Sequence, residues 1–436
     1  MAEARPPVLV LRVHHGSLGL ARSLGRLGVP VFAVDANLAT APLSSRYWQG
    51  TFVWDFRRKA RDESVRFLVR LGEQLGGRPL LVPTCDHTAY LVASWADALA
   101  AVFRFPRVDP ELVRSFSDKR KLHALARQHG VPTAEARFPA SRADVERFAE
   151  AAVFPVMLKG IDGLRLEART GVKMVIARTP EELLTHYDRL EDPTAPNLMV
   201  QEYIPGDDDT IWMFNGYFDE SSRCLFGITG RKLRQHPIHV GSTSLGICER
   251  NDTVDRLTRE FMAAVGYRGI LDIGYRYDAR DGRYKLLDPN PRIGSSFRLF
   301  VGRDGTDVAR ALYLNLTGRP VPPSPFPDGR KWIVEDQDLE STLDYMAEGT
   351  LGPGRWAASL RGIAEGAWFA WDDPAPFART AGRLLGQAGR HAWRRLANGR
   401  HHPTLTPLRE GAHEARTEEP SWRSALPHQA LPSSPP

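Results

Sequence analysis

The sequence predicts a chain of mixed α/β and α+β class: an open parallel sheet first, an α+β body next, and a helical C-terminal extension. Three observations predict it. Up to about residue 110, short apolar runs alternate with amphipathic helical patterns, the order of βαβ units. From 111 to 320, alternating strands come in hairpin pairs interleaved with helices, which is an α+β order. The run "PVPPSPFPDGR" at 320–330 then reads as a proline-rich linker, with mostly helical patterns after it to residue 400. These observations divide the chain into 1–110, 111–320, 321–400 and a tail, 401–436. The tail carries 7 prolines and little apolar periodicity, and is expected to be disordered.

The elements follow in order. "VLVLRV" is a short buried strand. "HHGSLGLARSLGRLG" is a glycine turn feeding a helix with Leu20, Leu24 and Leu27 on one face. "VPVFAVD" is a second strand, ending in Asp35. "ESVRFLVRLGEQLGG" is a helix, and "RPLLVPTCDHTAYLVASWADAL" gives strand, turn and helix. The Gly16–Gly19 turn lacks the full spacing of a dinucleotide loop. "SFSDKRKLHALARQHG" is a basic helix with Ser117 as the expected N-cap and Gly130 as its stop. "FPVMLKGIDGLRLEARTGVKMVIA" reads as two strands around a loop containing glycine and arginine. "EELLTHYDRLE" is a helix. "NLMVQEYIPGDDDTIWMFNGYFD" is strand, turn, strand, and "CLFGITGRKLRQHP" is a strand with a basic end. "VDRLTREFMAAVGY" is an amphipathic helix, and "GILDIGYRYDARDGRYKLLDPNPR" is a hairpin turning at Asp281-Gly282.

Composition narrows the function classes. Apolar residues make up 42% and charged residues 25% of the 436, ordinary for a globular protein. No apolar run approaches the ~18 residues of a membrane-spanning helix. The N-terminus carries an acid and prolines where a secretory signal needs a basic then apolar stretch. Cys85, Cys224 and Cys248 are far apart and odd in number, which argues against a disulfide framework or a zinc site. A cytoplasmic protein is expected. The net charge is +6, yet only 8 of the 58 basic residues are lysine, so the positions of lysines are informative. No zinc-finger or RNA-recognition signature accompanies the charge, and no nucleic-acid partner is expected.

The sharpest chemical signal is "LLDPNPR". Strand alternation puts Asp288, Asn290 and Arg292 on one face. A carboxylate and a carboxamide two residues apart offer hard oxygen ligands, which suit Mg²⁺ bridging phosphates. The arginine beside them can neutralise developing negative charge. Alone, the run is equally a strand end with a polar turn. Lys159 finishes an apolar strand and needs an anion unless it snorkels to solvent. Lys119 stands in the first turn of a helix, where a cation is disfavoured, so a phosphate is a natural partner. In "TGRKLRQHP", Lys232 and Arg234 share a strand face, a ready site for a carboxylate or phosphate. "CDH" at 85–87 stands at a strand's carboxyl end and reads as an ordinary turn or the rim of a cleft.

The order Lys, Lys, Gln-Glu-Tyr-Ile, acid, Asp-x-Asn-x-Arg resembles the ATP-grasp superfamily over residues 8 to 320. "GLARSLGRLGVPVFAVD…SSRYW" resembles the preceding domain of D-aspartate-ligase-like carboxylate–amine ligases. The resemblance implies an N-terminal pre-ATP-grasp domain, then a two-lobed ATP-grasp fold. It implies an ADP-forming ligase that activates a carboxylate as an acyl phosphate for attack by an amine. Its cofactors would be ATP and Mg²⁺ (or Mn²⁺), and its partners small-molecule acids and amines. A carboxylate–thiol ligase and a non-catalytic ATP-binding regulator are the alternatives, and a homodimer is possible. By the resemblance, Lys119 and Lys159 contact ATP phosphates; Gln201, Glu202 and Ile204 line the adenine pocket; and Asp208, with Asp209 as the near alternative, holds the ribose. Asp288 and Asn290 hold the metal, and Arg292 acts on the acyl-phosphate step. Lys232 is expected beside Arg292 in catalysis, with Arg234 and Arg298 holding substrate.

Two departures stand out. The family's acid across the hairpin from Asp288 falls at Gly274, and Asp272 is the nearest acid on that face. Glycine at 274 could be required sterically. The phosphate-covering loop contains Arg165 and Arg169 and lacks a Gly-Gly-Ser run, so guanidinium groups could replace backbone donors. Finally, 377–400 carries six arginines and no acid along an amphipathic helix. Docking of its apolar face on the body is expected, in preference to peripheral contact with an anionic membrane.

Overall fold

A computed structural model describes residues 5–172 and 174–385. Residues 386–400 of the helix expected over 377–400, and the tail beyond them, lie outside the described residues. The chain opens with β1 (Val8–Leu11), α1 (His15–Gly25), β2 (Val31–Asp35), β3 (Trp48–Val53), α2 (Arg61–Leu75), β4 (Leu80–Pro83), α3 (Asp86–Ser94) and α4 (Ala96–Ala100). The strands form a parallel sheet in the order β3-β2-β1-β4. Val8 to Leu11 are buried on both faces, which is why this strand reads as a continuous apolar run. Strand order reverses between β1 and β4, so a crevice opens at their carboxyl ends. A Cβ at Gly16 would lie 2.8 Å from the Gly294 carbonyl oxygen; this glycine allows close packing, in place of a phosphate loop. Leu27 lies beyond the end of α1 and is exposed, so it leaves the apolar face expected for it.

A smaller lobe follows: α5 (Pro110–Ser117), α6 (Lys119–Gln128), β5 (Ala136–Arg137), α7 (Arg142–Ala151), β6 (Val156–Gly160), α8 (Gly163–Thr170), β7 (Met174–Ala177), α9 (Pro180–Leu190) and β8 (Leu198–Glu202). Its antiparallel sheet runs β5-β8-β6-β7 over a core that includes Val145, Leu158, Leu183 and Leu198. Ser117 ends α5; the N-cap of α6 is Asp118, whose carboxylate accepts from the backbone of Arg120 and Lys121. The expected glycine loop is helix α8, capped by Asp162. Arg165 bonds Asp192 and the Ala195 carbonyl, and Arg169 bonds the Leu190 carbonyl. Both guanidinium groups are held by their own lobe rather than facing phosphates.

The large sheet is built from β9 (Ile211–Phe218), β10 (Cys224–His236), β11 (Ser242–Cys248), β12 (Gly269–Asp278) and β13 (Arg283–Asn290), with α10 (Asp252–Ala264) and α11 (Val308–Leu316). The segment after the proline-rich linker adds β14 (Lys331–Ile333), α12 (Glu335–Ala347), α13 (Pro353–Ser359) and β15 (Ile363–Gly366). The seven strands run β13-β12-β9-β10-β11-β14-β15. A helix over 375–385 closes the described chain. Leu385 there is 74% exposed, so this leucine does not dock as expected. Ahead of it, Asp373 is buried against Arg22 of α1, with Nε to Oδ2 at 2.9 Å and Ser45 Oγ at 2.6 Å on the same oxygen. Among the described residues no helix is long and apolar enough to cross a membrane, and the three cysteines are free.

Candidate active site

Lys119 is the first residue of α6, and its ammonium pairs with the carboxylate of Asp288. Asp288 lies in β13, directly across the hairpin from Gly274 of β12, and Asn290 lies across from Asp272. The Asp281-Gly282 turn, with Gly282 at φ +70°, and a bulge after Gly274 set this register. Lys159 in β6 has no hydrogen-bond or ion-pair partner among the described residues. Burial, the Lys119 ammonium and the Arg276 guanidinium lower its pKa to about 7. Burial likewise lowers Lys119 to about 8, opposed by Asp86, and lowers Lys232 to about 8, opposed by Asp208 and Asp272. Three lysines and Arg276 thus crowd one space, with their charge incompletely answered by acids. Such a site fits a polyanion.

Asp272 supplies the complementary charge. Its carboxyl pKa is pushed up by burial, against Arg292 and Lys232, and it forms no ion pair among the described residues. Asp288 is half-exposed, and the Asn290 side chain donates to the Asp272 carbonyl at 3.3 Å. No group of three His, Cys, Asp or Glu side chains that could hold a metal occurs among the described residues. The available set is therefore two carboxylates and a carboxamide oxygen. Hard oxygens of this kind, one of them on a partly buried acid with no ion pair among the described residues, fit a divalent cation with water and phosphate ligands. A Cβ at Gly274 would meet nothing closer than 3.9 Å, so the glycine is not sterically required there.

Arg292 is held on three sides. Its Nε donates to Asp86 at 2.7 Å, Nη2 to Asn290 Oδ1 at 3.0 Å, and Nη1 to the Ile293 carbonyl at 3.2 Å. Asp86, the first residue of α3 at the carboxyl end of β4, therefore reaches the site from the N-terminal sheet. It belongs to the "CDH" run; its position at a parallel strand's end was the available signal. Histidines 14 and 15 share that crevice in neutral form, lowered by burial to about 3 and about 4.

Gln201 and Glu202 close β8, and Ile204 is buried just beyond. The Glu202 carboxylate accepts from the Glu135 backbone, Lys285 and Arg280, so its side chain fastens the hinge and leaves only backbone groups for a ligand. Asp208 accepts from Gln235 Nε2 at 2.7 Å and from the Tyr345 hydroxyl. Asp209 faces Arg231 at 3.7 Å. Two expected substrate contacts are elsewhere. A bulge between Lys232 and Arg234 reverses the face of Arg234, which is buried in a bidentate pair with Asp338 at 2.8 Å. Arg298 is buried between Asp307 and Glu365.

No family model matches the chain. Among curated proteins, a D-aspartate ligase of Enterococcus faecium (strain Aus0004) is 26% identical over 240 residues, 53% of this chain. The match spans 57% of that relative, so the chain covers little more than half its length. Among solved structures, the biotin carboxylase domain of Hydrogenobacter thermophilus 2-oxoglutarate carboxylase matches with a TM-score of 0.58 and 16% identity. The match covers 74% of this chain and 72% of that one. An L-amino acid ligase from Bacillus licheniformis matches with a TM-score of 0.56 and 13% identity, covering 72% and 75%. An N5-carboxyaminoimidazole ribonucleotide synthetase from Thermus thermophilus matches with a TM-score of 0.56 and 16% identity, covering 74% and 81%. At these identities the likeness is one of fold.

Proposed function

We propose that this chain, which has the ATP-grasp fold, is an ADP-forming carboxylate–amine ligase. The observation that carries the reading is the cluster of Lys119, Lys159, Lys232 and Arg276 facing Asp272, Asp288 and Asn290. Lys119 and Lys159 bind the phosphates, and the backbone of 201–204 borders the adenine. Asp208 binds the ribose. Asp272, Asp288 and Asn290 would hold Mg²⁺ (or Mn²⁺), which would supply neutralisation of phosphate charge. A substrate carboxylate oxygen forms a bond to the γ-phosphorus as the bond to the bridging oxygen breaks and ADP leaves. The amine nitrogen then attacks the carbonyl carbon and gives up a proton to solvent, and the C–O bond to phosphate breaks, so that inorganic phosphate departs with the oxygen. Lys232 and Arg292 neutralise the charge that develops. The names of the ligase relatives make an amino acid the first candidate for either substrate. A cytoplasmic location completes the reading.

The test is ADP release on mixing ATP, Mg²⁺, an acid pool and an amine pool. Release that needs both pools is expected, and the Lys119→Ala, Lys159→Ala double variant should abolish it together with the ATP-induced rise in melting temperature. Release with thiols in place of amines would assign the thiol ligase. ATP binding without release would assign a regulator, a reading that Gly274 in place of an acid favours.

A second expectation concerns pH. The pKa values of Lys159 and Lys119 are depressed, at about 7 and about 8, and phosphate favours their charged forms. Nucleotide binding should therefore take up protons near pH 8, and affinity should fall as pH rises from 7 to 9. Calorimetry in buffers of different ionisation enthalpy reads this directly; a buffer-independent enthalpy at pH 8 would contradict it.

A further inference from the structure

Tyr345 lies on α12, more than a hundred residues beyond Asp208 and past the proline-rich linker. It is nearly buried, and its hydroxyl donates to Asp208 Oδ2. The other oxygen of Asp208 accepts from Gln235 Nε2 at 2.7 Å. The Gln235 side-chain oxygen Oε1 accepts in turn from Lys232 Nζ at 3.0 Å, and the same ammonium donates to the Gly241 backbone carbonyl at 2.7 Å. One polar chain thus runs from α12 through Asp208 and Gln235 to a lysine of the phosphate cluster.

The surroundings show that α12 is fastened to this corner. Asp338 holds Arg234 in a buried pair, Glu340 faces His236 at 3.4 Å, and Glu348 bonds His239 at 2.8 Å. The Tyr345 ring stands edge-on to His239 at 5.6 Å. A carboxylate accepts about four hydrogen bonds. With one partner on each oxygen, Asp208 is fixed in rotamer and keeps lone pairs for ligand hydroxyls.

We infer that Tyr345 is a positioning residue of the nucleotide site: it orients Asp208 toward ribose hydroxyls, and the C-terminal segment is thereby part of that site. This rests on the nucleotide reading of the site proposed above. A side chain that only packed α12 against the body would alter stability. One that orients Asp208 alters discrimination between sugars.

The experiment measures the Kd of ATP and of 3′-deoxyATP by calorimetry for the wild type, Tyr345→Phe, Asp208→Ala and the double variant. Tyr345→Phe removes one oxygen and keeps the ring contact with His239; its melting temperature checks the fold. The wild type is expected to prefer ATP, Tyr345→Phe to lose several-fold of that preference with 3′-deoxyATP binding little changed, and the second substitution to add nothing in the Asp208→Ala background. In turnover the loss should fall on KM for ATP, with kcat nearly kept. An unchanged ATP to 3′-deoxyATP ratio in Tyr345→Phe, with ATP binding intact, overturns the inference alone. Failure of the wild type to bind ATP would remove the nucleotide reading and this inference with it. Should Tyr345→Phe not fold, Tyr345→Leu removes the same donor from the Asp208 oxygen, and the same ratio decides.

Discussion

Asp373→Ala is expected to destabilise the protein by about 3–5 kcal/mol, the cost of breaking a buried ion pair by removing one partner. Arg22 and Asp373 are 2% and 1% exposed. Beyond the 2.9 Å ion pair, Asp373 accepts from Ser45 Oγ and from the Arg46 backbone at 3.0 Å. The Arg22 guanidinium also donates to the carbonyls of Ala367, Trp368 and Asp373, so the pair anchors the 367–373 segment against α1. The neighbouring pair supplies the control. Arg26 and Asp372 are well exposed, so Asp372→Ala should cost no more than about 1 kcal/mol. Replacing both members, Arg22→Met with Asp373→Leu, should not recover the loss, because the carbonyls of 367, 368 and 373 and the Ser45 hydroxyl would lose their partners as well. Urea unfolding of the four proteins reads these differences. Equal losses for Asp373→Ala and Asp372→Ala would mean that the buried pair does not hold the segment.

What the sequence disclosed depended on how local the cause was. The parallel sheet was legible because Val8 to Leu11 is uninterrupted apolar sequence, as a strand covered on both faces must be. The β12–β13 hairpin was legible from Asp281-Gly282 and alternation, and counting back across it gave the pairing of Gly274 with Asp288. Alternation failed at Arg234, because a bulge is an extra residue that no periodicity announces. The loop at 161–171 was misread for a different reason. Its glycines suggested a loop, while Asp162 three residues before Arg165 was a readable helix cap. Arg298 showed a guanidinium beside a site motif but not the acids at 307 and 365 that occupy it. The place of Asp86 at a strand's end was legible, but its pairing with Arg292 was not, and Tyr345 was missed, because these partners are 206 and 137 residues apart, a distance over which no local pattern reports.

Arg292→Ala should lower kcat about 10²–10³-fold, the range for losing one preorganised group that stabilises developing charge. The reason lies in how the guanidinium is held. Three fixed partners orient it before substrate arrives, so it need not reorganise during the reaction. ATP binding should survive, because Lys119 and Lys159 lie on other elements and carry the phosphate contacts in the proposed site. Arg292→Lys should fall nearer to Ala than to wild type, since an ammonium cannot span Asp86 and Asn290 in one plane. Asp86→Ala tests the orientation separately. It should lower kcat by a smaller factor, leave the Kd for ATP unchanged, and add nothing to Arg292→Ala, as expected for two residues acting through one contact. Steady-state rates of ADP formation beside calorimetric ATP affinities separate the outcomes. A variant that weakens ATP binding and keeps kcat would place Arg292 on the nucleotide rather than on the reacting acyl group. Additive losses from Asp86→Ala and Arg292→Ala would give Asp86 its own contact with substrate, at the carboxyl end of β4 where the crevice of the N-terminal sheet opens.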